Sequence, residues 1–133
     1  MKVALAEFLL ANAGLTALVG TRIKWDTLPQ NGALPAIALH MVSAPRDYTM
    51  AGRDGTTGYL VQMDVWSNTL ALRESVAAAL ISALDDIRND TFQGAFIEGQ
   101  RDTFEPGDAG PNSQGATDLF RASIDVRVWA SEA

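Results

Sequence analysis

A chain of 133 residues with 47% hydrophobic and 20% charged residues fits one domain, residues 1–133, able to bury roughly two-thirds of its unfolded surface and far from the composition of disordered chains. It has no cysteine, which excludes disulfides, thiolate metal sites and a cysteine nucleophile. The net charge of −6 comes from 16 acidic and 10 basic residues with no Lys/Arg cluster, so counterion release from a phosphate backbone has little to act on and specific nucleic-acid binding is not expected.

The first residues, MKVALAEFLLANAG, invite comparison with a signal peptide. Glu7 and Asn12 interrupt the apolar run, no A-x-A-like site with a polar boundary follows, and Val3, Leu5, Ala6, Leu9 and Leu10 fall on a helical stripe. No stretch approaches the roughly 18 unbroken apolar residues of a membrane span, so the chain reads as made in the cytoplasm without a membrane partner. AGLTALVG extends this as a second short turn of helix with Leu15 and Leu18 inward, closed by Gly20. TRIKW is a brief strand, and Pro29, Gly32 and Pro35 mark a loop.

Ala36 to Val42 is apolar on both parities and reads as a central strand covered on both faces. SAPRDYTMAGRDGTTG is a long loop. From Tyr59 to Trp66 the residues alternate, Tyr59, Val61, Met63 and Val65 on one face and Leu60, Gln62, Asp64 and Trp66 on the other. The period then changes to 3.6 for a helix from the N-cap Thr69 to about Asp86, with Leu72, Val76, Ala79, Leu80, Ala83 and Ile87 inward and Ser75, Ala78, Ser82 and Asp86 outward. QGAFIEGQRDTFE is a weaker strand, PGDAGPNSQGAT a second long loop, and Asp118 to Ala130 a strongly alternating strand. Its apolar row is Phe120, Ala122, Ile124, Val126 and Val128; its other face carries Arg121, Ser123, Asp125, Arg127 and Trp129. The expected architecture is α+β: a mainly antiparallel or mixed sheet of four to five strands with two helices packed on one face. Its Asp-Val strands should be neighbours, with Asp64 or Asp125 opposite Arg127 or Arg121.

Reactive groups are sparse. His40 is the only histidine and lies in the most apolar strand, where a hydrogen-bonded structural role outweighs catalysis. Asp102, Glu105, Asp108 and Asp118 flank the second loop but lack the alternate-position oxygens of a calcium loop. GRDGTTG has no lysine and opens a strand, which suits a turn better than a phosphate cradle. Asp85, Asp86 and Asp90 lie near a helix C-terminus, where they oppose the macrodipole slightly, which suggests an exposed end or a partner cation, exposure being the default. The two loops carry more promise, because unstructured connections of a dozen residues are uncommon in a small domain and are often binding segments. Tyr48, Met50 and Arg53 in the first and Phe104 beside the second are contact groups of the kind interfaces favour; mere surface excursions are the plainer reading.

The order and spacing of LTALVGTRIKWDTLPQNGALPAIALHMVS, RDYTMAGRDG, VQMDVWSNTLALRESVAAAL, RDTFEPGD and LFRASIDVRVWA resemble the tail-completion, or tail terminator, proteins of long-tailed bacteriophages, prophages and gene transfer agents. The resemblance spans nearly the whole chain, although each segment alone is weak. It implies a non-enzymatic virion tail protein without a cofactor, assembled in the bacterial host cytoplasm. Such a protein would form a homo-oligomer, a hexameric ring, at the head-proximal end of the tail tube. There it would stop polymerisation of the tail tube protein and meet the head–tail connector protein. Within that implication Trp66 and Trp129, at strand ends, either close the margin of the core or meet a neighbour. Two competing readings remain: a small enzyme or ligand-binding domain with a pocket of His40, Tyr48 and Asp102, and a non-viral adaptor of similar fold.

Overall fold

The computed structural model describes residues 1–27, 34–45, 48–49, 52–53, 55–105 and 119–131. The chain runs through α1 (Lys2–Leu10), α2 (Ala13–Val19), β1 (Ile23–Trp25), β2 (Ala36–Ser43), β3 (Tyr48–Thr49), β4 (Gly52–Arg53), β5 (Thr56–Ser67), α3 (Leu70–Asp85), β6 (Phe92–Glu105) and β7 (Leu119–Ser131). Five strands form one sheet in the order β1-β2-β5-β7-β6, and β3 and β4 pair as a separate two-residue ribbon. The sheet is mixed: β1 runs parallel to β2, and every other neighbouring pair in it is antiparallel. The α+β reading therefore holds, with one more helix among the described residues than the two expected, because the N-terminal apolar segment breaks into α1 and α2 with an 85° bend. The break is local chemistry: Asn12 takes an extended conformation and its Oδ1 accepts from the Leu15 amide at 3.0 Å, which starts a new helix. Gly20 then ends α2 with φ 59°, a conformation that glycine adopts without Cβ strain.

The long strands β5 and β7 alternate strictly. Their register sets Tyr59, Val61, Met63 and Val65 opposite Val128, Val126, Ile124 and Ala122, and these residues are buried. The helices supply Leu5, Leu9, Leu15, Val19, Val76, Leu80 and Leu84 to the same core. Burying a side chain of this size is worth about 1.5–3 kcal/mol, so this layer holds the domain together.

Two helical stripes differ from expectation. In α1 the buried residues are Leu5 and Leu9, with Phe8 packed against the core, while Val3 and Leu10 are exposed. Phe8 meets Phe92 edge to face at 6.5 Å, and this contact draws the helix round by roughly a residue. In α3 the buried row is Arg73, Val76, Ala77, Leu80, Ala83 and Leu84, with Ile87 just beyond; Leu72 and Ala79 are only half-buried. The helix is turned toward Arg73 because β6 and β7 offer that guanidinium Asp102 at 3.5 Å and the Phe120 ring at 5.7 Å. Ser75, Ala78, Ser82 and Asp86 are exposed, as the period predicts.

β2 is second from the edge rather than central. It is buried on both faces only from Ala36 to Leu39, and at the register shift between Met41 and Ser43 its Val42 is exposed. Of the first long loop, positions 48–49 and 52–53 form the ribbon; the second long loop lies outside the described residues.

Candidate functional site: the open face of the sheet

Alternation leaves a second face on β5 and β7, turned away from the buried row that the helices cover. Its residues pair across strands: Trp66 with Ala36 and Arg121, Asp64 with Ala38 and Ser123, Gln62 with His40 and Asp125, Leu60 with Arg127, and Gly58 with Trp129. On β6 the same face carries Gly94, Phe96, Glu98, Arg101 and Thr103, with shifts at Phe92/Gly94 and Ile97/Gly99 that fit two extra residues into the strand.

Side-chain bonds across strands order this face. Arg101 donates to Asp125 at 2.6 Å from Nη1, and Arg127 donates to Glu98 at 3.1 Å and to the Gly58 carbonyl at 3.0 Å. The hydrogen bond to Asp125, and then its charge, raise the already high pKa of Arg101, so the guanidinium stays charged. Arg121 lies 5.1 Å from the Trp66 ring and donates from Nε to Thr103 Oγ1 at 3.2 Å. The expected strand neighbours are thus observed, but the charges pair differently: Asp125 and Arg127 reach β6, Arg121 stacks on Trp66, and Asp64 turns to β2. The cause is geometric, since directly opposite positions on β5 and β7 place Gln62 against Asp125 and Ser123 against Asp64.

His40 lies on this face between two carboxylates, with Nδ1 4.0 Å from Asp26 and Nε2 3.5 Å from Asp64. Asp64 is only 4% exposed, and it also accepts from Gln62 Nε2 at 3.0 Å. Because the carboxylates sit against opposite ring nitrogens, they cannot chelate one ion together with the imidazole. Among the described residues no group of three His, Asp or Glu side chains is placed to hold a metal. Asp102, proposed beside His40 in a pocket, is instead on the helix side of β6, ion-paired with Arg73 and separated from β2 by two intervening strands. The structure does not bring the two together. Glu105 ends β6, while Asp108 and Asp118 lie outside the described residues. No single described helix is long and apolar enough to cross a membrane.

The interface candidates divide between the two ends of the sheet. Trp66 and Phe104 lie at one end, where Phe104 stacks at 4.9 Å on Phe120 and is half-exposed. Trp129 lies at the other, about 25 Å away along β5 at roughly 3.3 Å per residue, with its ring over Gly58. Tyr48 and Arg53 hold strand positions in the ribbon that precedes this second end; their side chains, and Met50, lie outside the described residues. Sequence reasoning missed Phe96, which is 61% exposed near the Trp129 end, because β6 alternates weakly around its bulges. It also passed over Trp25, whose Nε1 donates to the Lys2 carbonyl at 2.9 Å and ties α1 to the sheet edge.

The strand-to-helix handover that sets the first end is compact. Ser67 Oγ donates to the Thr69 carbonyl at 3.0 Å and accepts from its amide at 3.2 Å, while Thr69 Oγ1 caps α3 through the Leu72 amide at 3.2 Å. Trp66 is thereby held at the lip of a rigid corner.

Comparison with known proteins agrees with this architecture. The family model described as Tail completion protein gp17 matches residues 3–131. Twenty chains of solved structures match. One of them, from the virion of a native gene transfer agent particle, superposes with a TM-score of 0.65 at 20% identity, covering 98% of this chain and 94% of that one. No curated protein matches. With its model spanning nearly the whole sequence, the chain belongs to the Tail completion protein gp17 family and is a structural component of virion tails.

Proposed function

We propose that this protein closes the head-proximal end of the tail tube as a hexameric ring, ending polymerisation of the tube and presenting its far side to the head–tail connector. The observation that carries the reading is the two-sided sheet. In a chain of this family, one face is sealed by helices, while the other is crossed by ion pairs between strands and carries aromatic rings at both ends, Trp66 half-buried at one and Trp129 and Phe96 exposed at the other; Phe104 is exposed on the helix side of the first end. A ring protein between two partners needs contact groups at two separated ends, and Trp66 with Phe104 and Trp129 with Phe96 supply them. Tryptophan, with its large area and few rotatable bonds, is the side chain most often found at the energetic centre of such contacts. Tyr48, Met50 and Arg53 remain contact candidates on the sequence alone. A net charge of −6 suits a channel for DNA, since carboxylates do not retain phosphates. The role is non-enzymatic and needs no cofactor.

The test is a tube-growth assay. Tail tube protein polymerising alone should give a broad distribution of lengths. Adding this protein should arrest growth and place a ring on one end of each tube in electron micrographs. Tubes that lengthen unchanged beside a monomeric protein contradict the proposal.

A further inference from the structure

The open face carries three arginines, and two are neutralised within the chain: Arg101 by Asp125 at 2.6 Å and Arg127 by Glu98 at 3.1 Å. Arg121 is the exception among the described residues. Its Nε donates to the neutral hydroxyl of Thr103, its guanidinium carbon lies 5.1 Å from the Trp66 ring centroid, and neither Nη nitrogen has a partner among the described residues. A guanidinium fixed by an aromatic platform and one hydrogen bond has already lost much of its rotamer freedom, and its free edge matches a carboxylate.

The complementary surface lies at the other end of the same chain. The last turn of α3 holds Asp85, with Asp86 as its C-cap and no basic residue, although a helix C-terminus favours cations. Neither side chain has an ion pair or hydrogen bond among the described residues, and both line a shallow cleft of about 390 Å³ beside the exposed ring of Phe96. Arg88 also lines this cleft, so two carboxylates against one guanidinium leave its lining at −1. A second cation facing the cleft would complete the charge balance and offset the helix dipole, and Phe96 supplies an apolar wall for an incoming Trp66.

We propose that the Trp66–Arg121 knob of one subunit docks in the Asp85–Asp86–Phe96 cleft of a second copy of this chain. The two patches differ and lie at opposite ends of the sheet, so the contact is heterologous and propagates from subunit to subunit, as a ring requires. The inference rests on the ring reading above and deepens it by naming the subunit joint.

The experiment is a charge swap followed by light scattering and electron microscopy, with and without tail tubes, and far-UV circular dichroism to confirm the fold. Arg121→Glu alone and the Asp85→Arg/Asp86→Arg pair alone should each weaken ring formation by about tenfold or more, and combining them should restore it. If the wild type forms rings and either single-sided variant does so equally well, the joint is elsewhere and the ring reading stands. If both variants fail and the combination does not recover, the pairing is also overturned. A wild type that forms no ring in either condition removes both readings together.

Discussion

The two faces of one sheet are built on different chemistry. Below β5 and β7 the register brings valine, isoleucine and methionine against three helices, and stability there scales with apolar area removed from water. Above them, one residue out of phase, the same strands present Trp66, Asp64, Gln62, Arg127 and Trp129, linked by a few directional bonds. The covered face determines whether the chain folds, while the open face is, in the proposal above, the surface through which the folded chain meets its neighbours.

The largest effect should come from the covered face. Leu80→Ala or Ile124→Ala, at positions with no exposure, should cost about 2–5 kcal/mol in denaturant unfolding. Losing the cap of the covering helix is milder: Thr69→Ala should cost about 1 kcal/mol by the same measurement. On the open face, Gly58→Ala would put a Cβ 2.9 Å from the Trp129 ring, which must swing aside. Overpacking at about 1 kcal/mol opposes a strand gain of about 0.5–1 kcal/mol for replacing glycine, so stability should barely change. The indole fluorescence should shift instead, and the shift should vanish in a Trp129→Phe background. Smallest of all, Arg101→Ala breaks an exposed pair and should leave the thermal midpoint unmoved at physiological ionic strength. A large loss there would show that the open face also carries the fold, and would erase the distinction.

The covered face was largely legible in the sequence, because period-2 and period-3.6 patterns report apolar burial directly. Val61, Met63, Val65 and the row from Ala122 to Val128 follow from alternation alone. Arg73 did not, since a charged residue is read as solvent-facing until Asp102 and Phe120, nearly thirty and nearly fifty residues away, are seen to receive it. The same blindness explains α1, where the Phe8–Phe92 contact rather than hydropathy fixes the buried side. The open face was barely legible. Which acid meets which base depends on register and on two bulges in β6, and neither leaves a compositional trace. Trp66 and Trp129 were visible as strand-end aromatics, but their placement at opposite ends emerges only from the antiparallel pairing.

Hydroxyl-radical footprinting of the protein, free and then bound to tail tubes, tests the division of labour most directly. Trp66, Trp129 and Phe96 should lose reactivity on assembly, while the exposed Val3 and Leu10 on the helical side keep theirs. Protection confined to Val3 and Leu10, with the tryptophans as reactive as before, would contradict the account.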